Sequence, residues 1–187
     1  MLVLLGKTSV GKDTILKEIT KLGLKSIVSY TTRPMRDGEV EGVNYHFIDK
    51  SQFRRMKLQG FFAETTSYNV ATGGTWYYGS ALKDMNDDAI VILNPEGLRA
   101  LKENKDIHPI SFLITAKEDT LRERLKKRGD NPEEAERRLK ADKEDFSDID
   151  DLVDFSFSND LGISVEALSQ LIHTTYLWAI EARKEKK

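Results

Sequence analysis

Between the apolar run MLVLL (Met1–Leu5) and the helical pattern DTILKEITKLG stands the stretch GKTSVGKD, Gly6 to Asp13. Gly6, Gly11 and Lys12 meet the spacing G-x-x-x-x-G-K, in the strand–loop–helix context which that motif requires. The apolar run is short and continuous, as in a buried strand. Downstream, Ile15, Leu16, Ile19 and Leu22 share one helical face and Gly23 stops it. Glycines let successive backbone N–H groups turn inward around phosphate oxygens, the helix N-terminus adds positive potential, and Lys12 reaches the outer phosphates. Gly6, Ser9, Gly11, Lys12, Asp13 and Thr14 therefore form a candidate phosphate-binding set. The competing reading is an ordinary glycine turn with a surface lysine.

Asp13 departs from the motif, which usually carries a Ser or Thr whose hydroxyl ligates Mg²⁺. A carboxylate can still hold the cation, directly or through its waters, because Mg²⁺ favours oxygen ligands and keeps several waters. Thr14 keeps a hydroxyl nearby. Asp13 is the candidate metal ligand.

The strand–helix alternation continues. AIVILN (Ala89–Asn94) precedes the helical PEGLRALKEN, ISFLIT (Ile110–Thr115) precedes EDTLRERLKKRG, and DFSFSN (Asp154–Asn159) precedes a C-terminal helix from about Ser164. This order predicts a parallel sheet covered by helices on both faces, an α/β fold of the P-loop NTPase type. Two stretches break the rhythm. Lys25 to Met85 is rich in Tyr, Thr, Phe and Gly and reads as a strand-rich insertion; Arg128 to Asp151 is intensely charged and reads as a mobile helical flap. The KEKK tail reads as a solvated helix end.

A chain of 187 residues suits one domain. At 39% hydrophobic and 32% charged residues its composition is globular. The net charge of −2 supplies no global basic field for DNA or RNA. Without cysteine the chain has no thiol nucleophile, disulfide or zinc–thiolate site. No apolar run reaches membrane-spanning length and Met1–Leu5 is too short for a signal peptide, so a cytoplasmic location is expected.

The stretch SYTTRPMRDGEVEGVNYHF (Ser29–Phe47), together with the phosphate loop, resembles the guanylate kinase family. Its pattern S-x-T-T-R-x-x-R-x-G-E-x-x-G-x-x-Y-x-F is met by Ser29, Thr31, Thr32, Arg33, Arg36, Gly38, Glu39, Gly42, Tyr45 and Phe47. The resemblance continues through GFFAE (Gly60–Glu64), WYYGS (Trp76–Ser80), Arg128–Gly129, Arg137–Leu139 and SNDL (Ser158–Leu161), and covers most of the chain. It implies an ATP-dependent nucleoside monophosphate kinase of purine nucleotide metabolism, with a core (1–30, 86–127, 152–187), an acceptor-binding insertion (31–85) and a helical lid (128–151).

By the same resemblance, Arg33, Arg36, Tyr45 and Tyr78 bind the GMP phosphate, and Ser29, Glu64 and Ser80 read the guanine. Guanidinium forks and phenol hydroxyls suit a dianion. A carboxylate can accept both N1–H and N2–H of guanine, whereas adenine leaves it unpaired. Seen alone, Tyr45 and Phe47 also fit strand-core positions, Arg33 and Arg36 surface charges, and Glu64 an exposed strand end. The resemblance places Arg128 and Arg138 against the transferring phosphate, with Arg137 adjacent, and Asn159 near the donor adenine. Read alone, the flap is an exposed Glu/Arg helix held by i, i+4 pairs. Lys12, Arg36, Arg128 and Arg138 are the candidate catalytic cations, with ATP as donor and Mg²⁺ as metal; the expected oligomeric state is monomer or homodimer.

Departures from the family include Asp13, LNPEG after the central strand (Asn94 and Glu96 where acids are usual, with Pro95 altering the backbone), Asn44 before Tyr45, and a long segment at 65–75. Some relatives with an Asp after the loop lysine phosphorylate ribose bisphosphate, so dGMP, another monophosphate or such a sugar stay open as acceptors. A non-catalytic interaction module is disfavoured by the intact Gly11 and Lys12.

Overall fold

The first strand, β1 (Leu2–Gly6), is buried along its whole length. Leu2 and Leu4 join one apolar cluster while Val3 and Leu5 join another. A strand whose alternate side chains both enter a core needs cover on both faces, as in parallel α/β sheets. The computed structural model describes residues 1–69, 73–160 and 162–185. After β1 come α1 (Lys12–Lys21), β2 (Lys25–Ser26), β3 (Tyr30–Thr31), β4 (His46–Phe47), α2 (Lys50–Leu58), β5 (Phe62–Asn69), β6 (Thr75–Ala81), β7 (Ala89–Ile92), α3 (Pro95–Glu103), β8 (Ile110–Thr115), α4 (Glu118–Arg128), α5 (Pro132–Asp145), β9 (Phe155–Ser158) and α6 (Val165–Lys184).

The main sheet runs β2-β7-β1-β8-β9, with every pairing parallel. Ile15, Ile19, Leu121, Leu125, Leu168, Ile172 and Tyr176 from α1, α4 and α6 pack on one face; Leu98 and Leu101 of α3 pack on the other. Because β1 is central, the loop that follows it emerges at the middle of the sheet's C-terminal edge, where ligands bind in open α/β sheets.

The smaller sheet runs β4-β3-β6-β5, and its hairpin pairs Glu64 with Ser80 and Thr66 with Tyr78. Two features differ from the strand-rich reading of Lys25–Met85. Lys25–Ser26 belongs to the main sheet through β7. Lys50–Leu58 is a helix, whose Asp49 cap accepts from Gln52 N at 2.8 Å. Its sequence, KSQFRRMKL, is polar except for scattered apolar residues, and only Phe53 is buried. The cap, rather than a hydrophobic stripe, was its legible signal. Of the long 65–75 segment, residues 70–72 lie outside the described residues, as do Leu161 of SNDL and Lys186–Lys187 of the tail.

Pro95 does not disturb the backbone after β7. It occupies the first turn of α3 behind the Asn94 cap, which accepts from Gly97 N at 2.8 Å. Proline there gives up an N–H that would have had no helical partner. Among the described residues, no helix is long and apolar enough to cross a membrane.

Candidate active site

The chain can leave β1 as it does because Gly6 has no side chain. A Cβ there would meet Ile114 O at 2.5 Å and Val10 Cγ1 at 2.8 Å. Gly11 enters α1 with φ +103°, and a Cβ on it would meet Asn159 Nδ2 at 2.8 Å. Both features bar an ordinary L-residue. Ser9, at φ 64°, holds the left-handed conformation between them. Asn159 Nδ2 donates to Val10 O at 2.8 Å, and Arg124 donates to Val10 O at 3.1 Å and to Asn159 O at 3.0 Å. The loop is thus tied to the end of β9 and to α4.

Lys12 folds back, its Nζ donating to Gly6 O at 2.6 Å and Lys7 O at 3.1 Å. Burial pulls this ammonium below its ordinary pKa, while the charges of Asp142 and Asp13 oppose the shift. Asp13 lies exposed in the first turn of α1, where a carboxylate complements the helix dipole.

Two cavities meet at this lysine. One, of about 320 Å³, is lined by Ser9, Gly11, Lys12, Asp13, Thr14, Arg124, Arg128 and Asn159. The other, of about 680 Å³, extends from Gly6 and Lys12 to Ser29, Arg36, Tyr45, Glu64 and Tyr78 on the small lobe and to Arg137 and Arg138 on α5. Both volumes suit a small-molecule ligand.

Of the sequence-predicted residues, Arg33 and Ser80 stand behind these walls. Arg33, 5% exposed, donates to both carboxylate oxygens of Glu39 at 2.9 and 2.8 Å and to Pro34 O at 2.7 Å. Its guanidinium lies 5.3 Å from the Tyr45 ring centroid. Ser80 is fully buried, and its hydroxyl meets that of Ser29 at 3.0 Å. In front of them Tyr78 packs edge-on between Tyr45 and Tyr68, with centroids 5.9 and 5.5 Å away.

Glu64 is a buried acid of the cleft, 5% exposed, and among the described residues its Oε2 has no hydrogen-bond partner. Burial pushes its carboxyl up to about 7, against the pull of the Ser80 hydroxyl and N–H. Its floor is α3, where Gly97 leaves room for the carboxylate.

The three arginines of the flap are paired. Arg138 donates to Glu134 at 2.8 Å, Arg137 to the same carboxyl at 2.7 and 2.9 Å, and Arg128 to Asp130 at 2.6 Å. The two arginines, Arg137 foremost, hold Glu134 down to about 2. Solvent-facing pairs of this kind contribute little stability, so exchanging a carboxylate partner for a phosphate costs little.

The sequence reading missed Arg124, Asp142 and the Asn94–Tyr68 contact. Arg124 precedes Arg128 by one helical turn, and Asp142 follows Arg138 by one turn, so helical spacing alone could have put each beside a chosen residue. Asn94, besides capping α3, donates to the Tyr68 hydroxyl at 2.7 Å, a contact that no local pattern announces. Asn44 serves its own turn by accepting from Val40 N at 2.8 Å.

Comparison with known proteins gives a consistent result. Residues 1–175 match the family model described as guanylate kinase. The guanylate kinase of Gloeobacter violaceus is 34% identical over 182 residues, covering 92% of this chain and 86% of that protein. That of Symbiobacterium thermophilum is 35% identical over 143 residues, covering 74% and 68%. The crystal structure of guanylate kinase from Anaplasma phagocytophilum superposes with a TM-score of 0.70 at 22% identity, covering 96% of this chain and 85% of that one, a likeness of fold.

Proposed function

This chain belongs to the guanylate kinase family, and from that premise we infer how its two cavities divide the work. The reaction is ATP-dependent phosphorylation of GMP to GDP. ATP occupies the smaller cavity with its phosphates on the loop from Gly6 to Thr14 and its adenine toward Asn159 and Arg124. GMP occupies the larger cleft, its phosphate between Arg36, Tyr45 and Tyr78 and its base against Glu64 and Ser29, with Ser80 behind them. Arg33 serves the phosphate pocket from beneath: three of its five N–H donors are taken by Pro34 and Glu39, and its charge remains.

The observation that carries this reading is that Lys12 lies on the walls of both cavities. An oxygen of the GMP phosphate attacks the γ-phosphorus of ATP, the bond to the β-phosphate oxygen breaks, and ADP leaves with that electron pair. The nucleophile is already ionised, so no general base is required. What the protein supplies is in-line placement and positive charge around the equatorial oxygens. Lys12, Arg36, Arg128 and Arg138 provide that charge. The flap arginines arrive when they leave Glu134 and Asp130.

Among the described residues, no three His, Cys, Asp or Glu side chains cluster as a metal site. Asp13 and Thr14 on the smaller cavity still fit Mg²⁺, which takes one or two protein oxygens and completes its shell with phosphates and water. The ion, when bound, neutralises charge on the outer phosphates. The reading also divides the chain into a core (1–30, 86–127, 152–187), an acceptor lobe (31–85) and a lid (128–151), and sets the enzyme in the cytoplasm with its nucleotides.

The test is a coupled kinase assay with GMP, dGMP, AMP, UMP and ribose bisphosphate as acceptors, with Mg²⁺ or Mn²⁺. GMP is expected to be turned over fastest, because ribose bisphosphate and AMP leave Glu64 unpaired. Lys12→Ala should lower kcat at least about 10²-fold while GMP still binds. A faster sugar substrate, or full turnover in Lys12→Ala, overturns the reading.

A further inference from the structure

The phosphate loop has a ligand of its own. Thr8, inside the loop, donates its backbone N–H to the Oδ2 of Asp142 at 2.6 Å, across 134 residues of sequence. Asp142 lies on α5, one turn beyond Arg138, and both line the larger cleft together with Thr8 and Lys12. A carboxylate on a loop N–H makes the same kind of charge-assisted hydrogen bond that a phosphate oxygen makes there. Lys12 turns inward in the same place, donating to Gly6 O and Lys7 O. The loop's outer cation and one of its inward donors are therefore both satisfied from within the chain.

On the reading that this loop takes the phosphates of ATP, we propose that Asp142 is a built-in competitor for them: its carboxylate occupies the Thr8 N–H, and the donor's outer phosphate must displace it to bind. Two anions cannot share one N–H beside a single ammonium. Loading the loop therefore frees Asp142 and unfastens α5 from it. Arg138, one turn earlier on the same helix, is released to move with that element. Donor binding and lid position are thus coupled through one side chain, and apparent donor affinity is reduced by the fraction of molecules in which the contact is made.

The distinction from a merely structural contact lies in which ligand responds. Isothermal titration of ATP and of inorganic tripolyphosphate, with Mg²⁺, into wild type, Asp142→Asn and Asp142→Ala reads the competition directly. GMP is titrated in parallel, and thermal unfolding checks the fold of each variant. Both variants should bind ATP and tripolyphosphate about tenfold more tightly, the gain expected for a contact made in nine molecules of ten, with a clearly smaller gain for GMP, whose cleft Asp142 also lines. Asp142→Asn, isosteric and uncharged, carries the test if the alanine variant is poorly folded. Unchanged or weaker donor binding in Asp142→Asn overturns the competition and leaves the kinase reading standing. An equal gain for GMP also overturns it, since a general loosening of the cleft gives that result. Failure of wild type to bind either ATP or tripolyphosphate overturns both.

Discussion

Arg33 and Glu39 meet in a two-pronged ion pair, Nη1 to Oε2 at 2.9 Å and Nη2 to Oε1 at 2.8 Å, while a second proton on Nη1 goes to Pro34 O. The Arg33 side chain is 4% exposed and that of Glu39 17%. Glu39 also accepts from Arg36 N at 2.8 Å, so one carboxylate shapes the whole turn that carries both candidate phosphate-binding arginines. The geometry makes Glu39 the residue that fixes this corner of the acceptor site.

Replacing Glu39 by Gln should therefore harm both stability and the acceptor site. It leaves a buried guanidinium without its anion, a change that costs about 1–3 kcal/mol. It also loosens Arg33 beneath Tyr45. Urea unfolding should show the lost stability, and the KM for GMP should rise while that for ATP stays near wild type. A variant as stable as wild type would show that the pair contributes no more than a surface contact.

Glu64 predicts a pH dependence of definite sign. Its carboxyl ordinarily titrates near 4.5 and is pushed up to about 7 in the fold, first by burial and further by the charge of Glu96. Between these values the folded protein holds a proton that the unfolded chain has lost. Stability from this group therefore falls as pH rises from about 4.5 to about 7 and is level above that. Glu64→Gln should remove the slope and gain stability at pH 8, with a ceiling of about 3 kcal/mol set by the size of the shift. On the proposed role of Glu64 its carboxylate is the acceptor for guanine, so wild-type affinity for GMP should rise with pH through the same window. Because the GMP phosphate ionises nearby, the informative quantity is the difference between wild type and Glu64→Gln. Parallel curves for the two proteins would remove Glu64 from base recognition.

Much of this site was legible in the sequence where the signal is local. The loop follows from glycine spacing between an apolar run and a helical pattern, and Glu39 with the two arginines of the acceptor turn from the family resemblance carried by Ser29–Phe47. What was not legible depends on approach between distant parts of the chain. Arg124 reaches Val10 across 114 residues and Asp142 reaches Thr8 across 134. Helix α2 was hidden differently, by a single buried residue in an otherwise polar stretch. The withdrawal of Arg33 behind Tyr45 follows from its pairing with Glu39, a choice of partner that spacing does not reveal.

Arg124 should act on the donor alone. Its two hydrogen bonds hold Val10 O and Asn159 O, and Asn159 holds Val10 O in turn, which sets the distance between the loop and the end of β9. Together these charged hydrogen bonds hold the loop in place and are worth roughly one order of magnitude or more. Arg124→Ala should raise the KM for ATP about tenfold and leave that for GMP within about twofold. Steady-state kinetics with each substrate varied in turn reads both values; equal increases would mean that the substitution has disturbed the fold rather than the donor site.

Gly97 offers the sharpest separation of stability from recognition. It sits in the first turn of α3, and a Cβ there would stand 3.1 Å from Asn94 Oδ1, 3.3 Å from Glu64 Oε2 and 3.4 Å from Thr66 Cγ2. Alanine in a helix is favoured over glycine by up to about 1 kcal/mol, which offsets part of the crowding. Gly97→Ala should therefore melt close to wild type. Its methyl group makes the Glu64 carboxylate give way by a few tenths of an ångström, and with Glu64 in its proposed role on the base the KM for GMP should rise several-fold and selectivity over AMP should fall, with the KM for ATP unchanged. If GMP kinetics were untouched while the crystal structure of the variant showed Glu64 displaced, base recognition would have to come from elsewhere in the cleft.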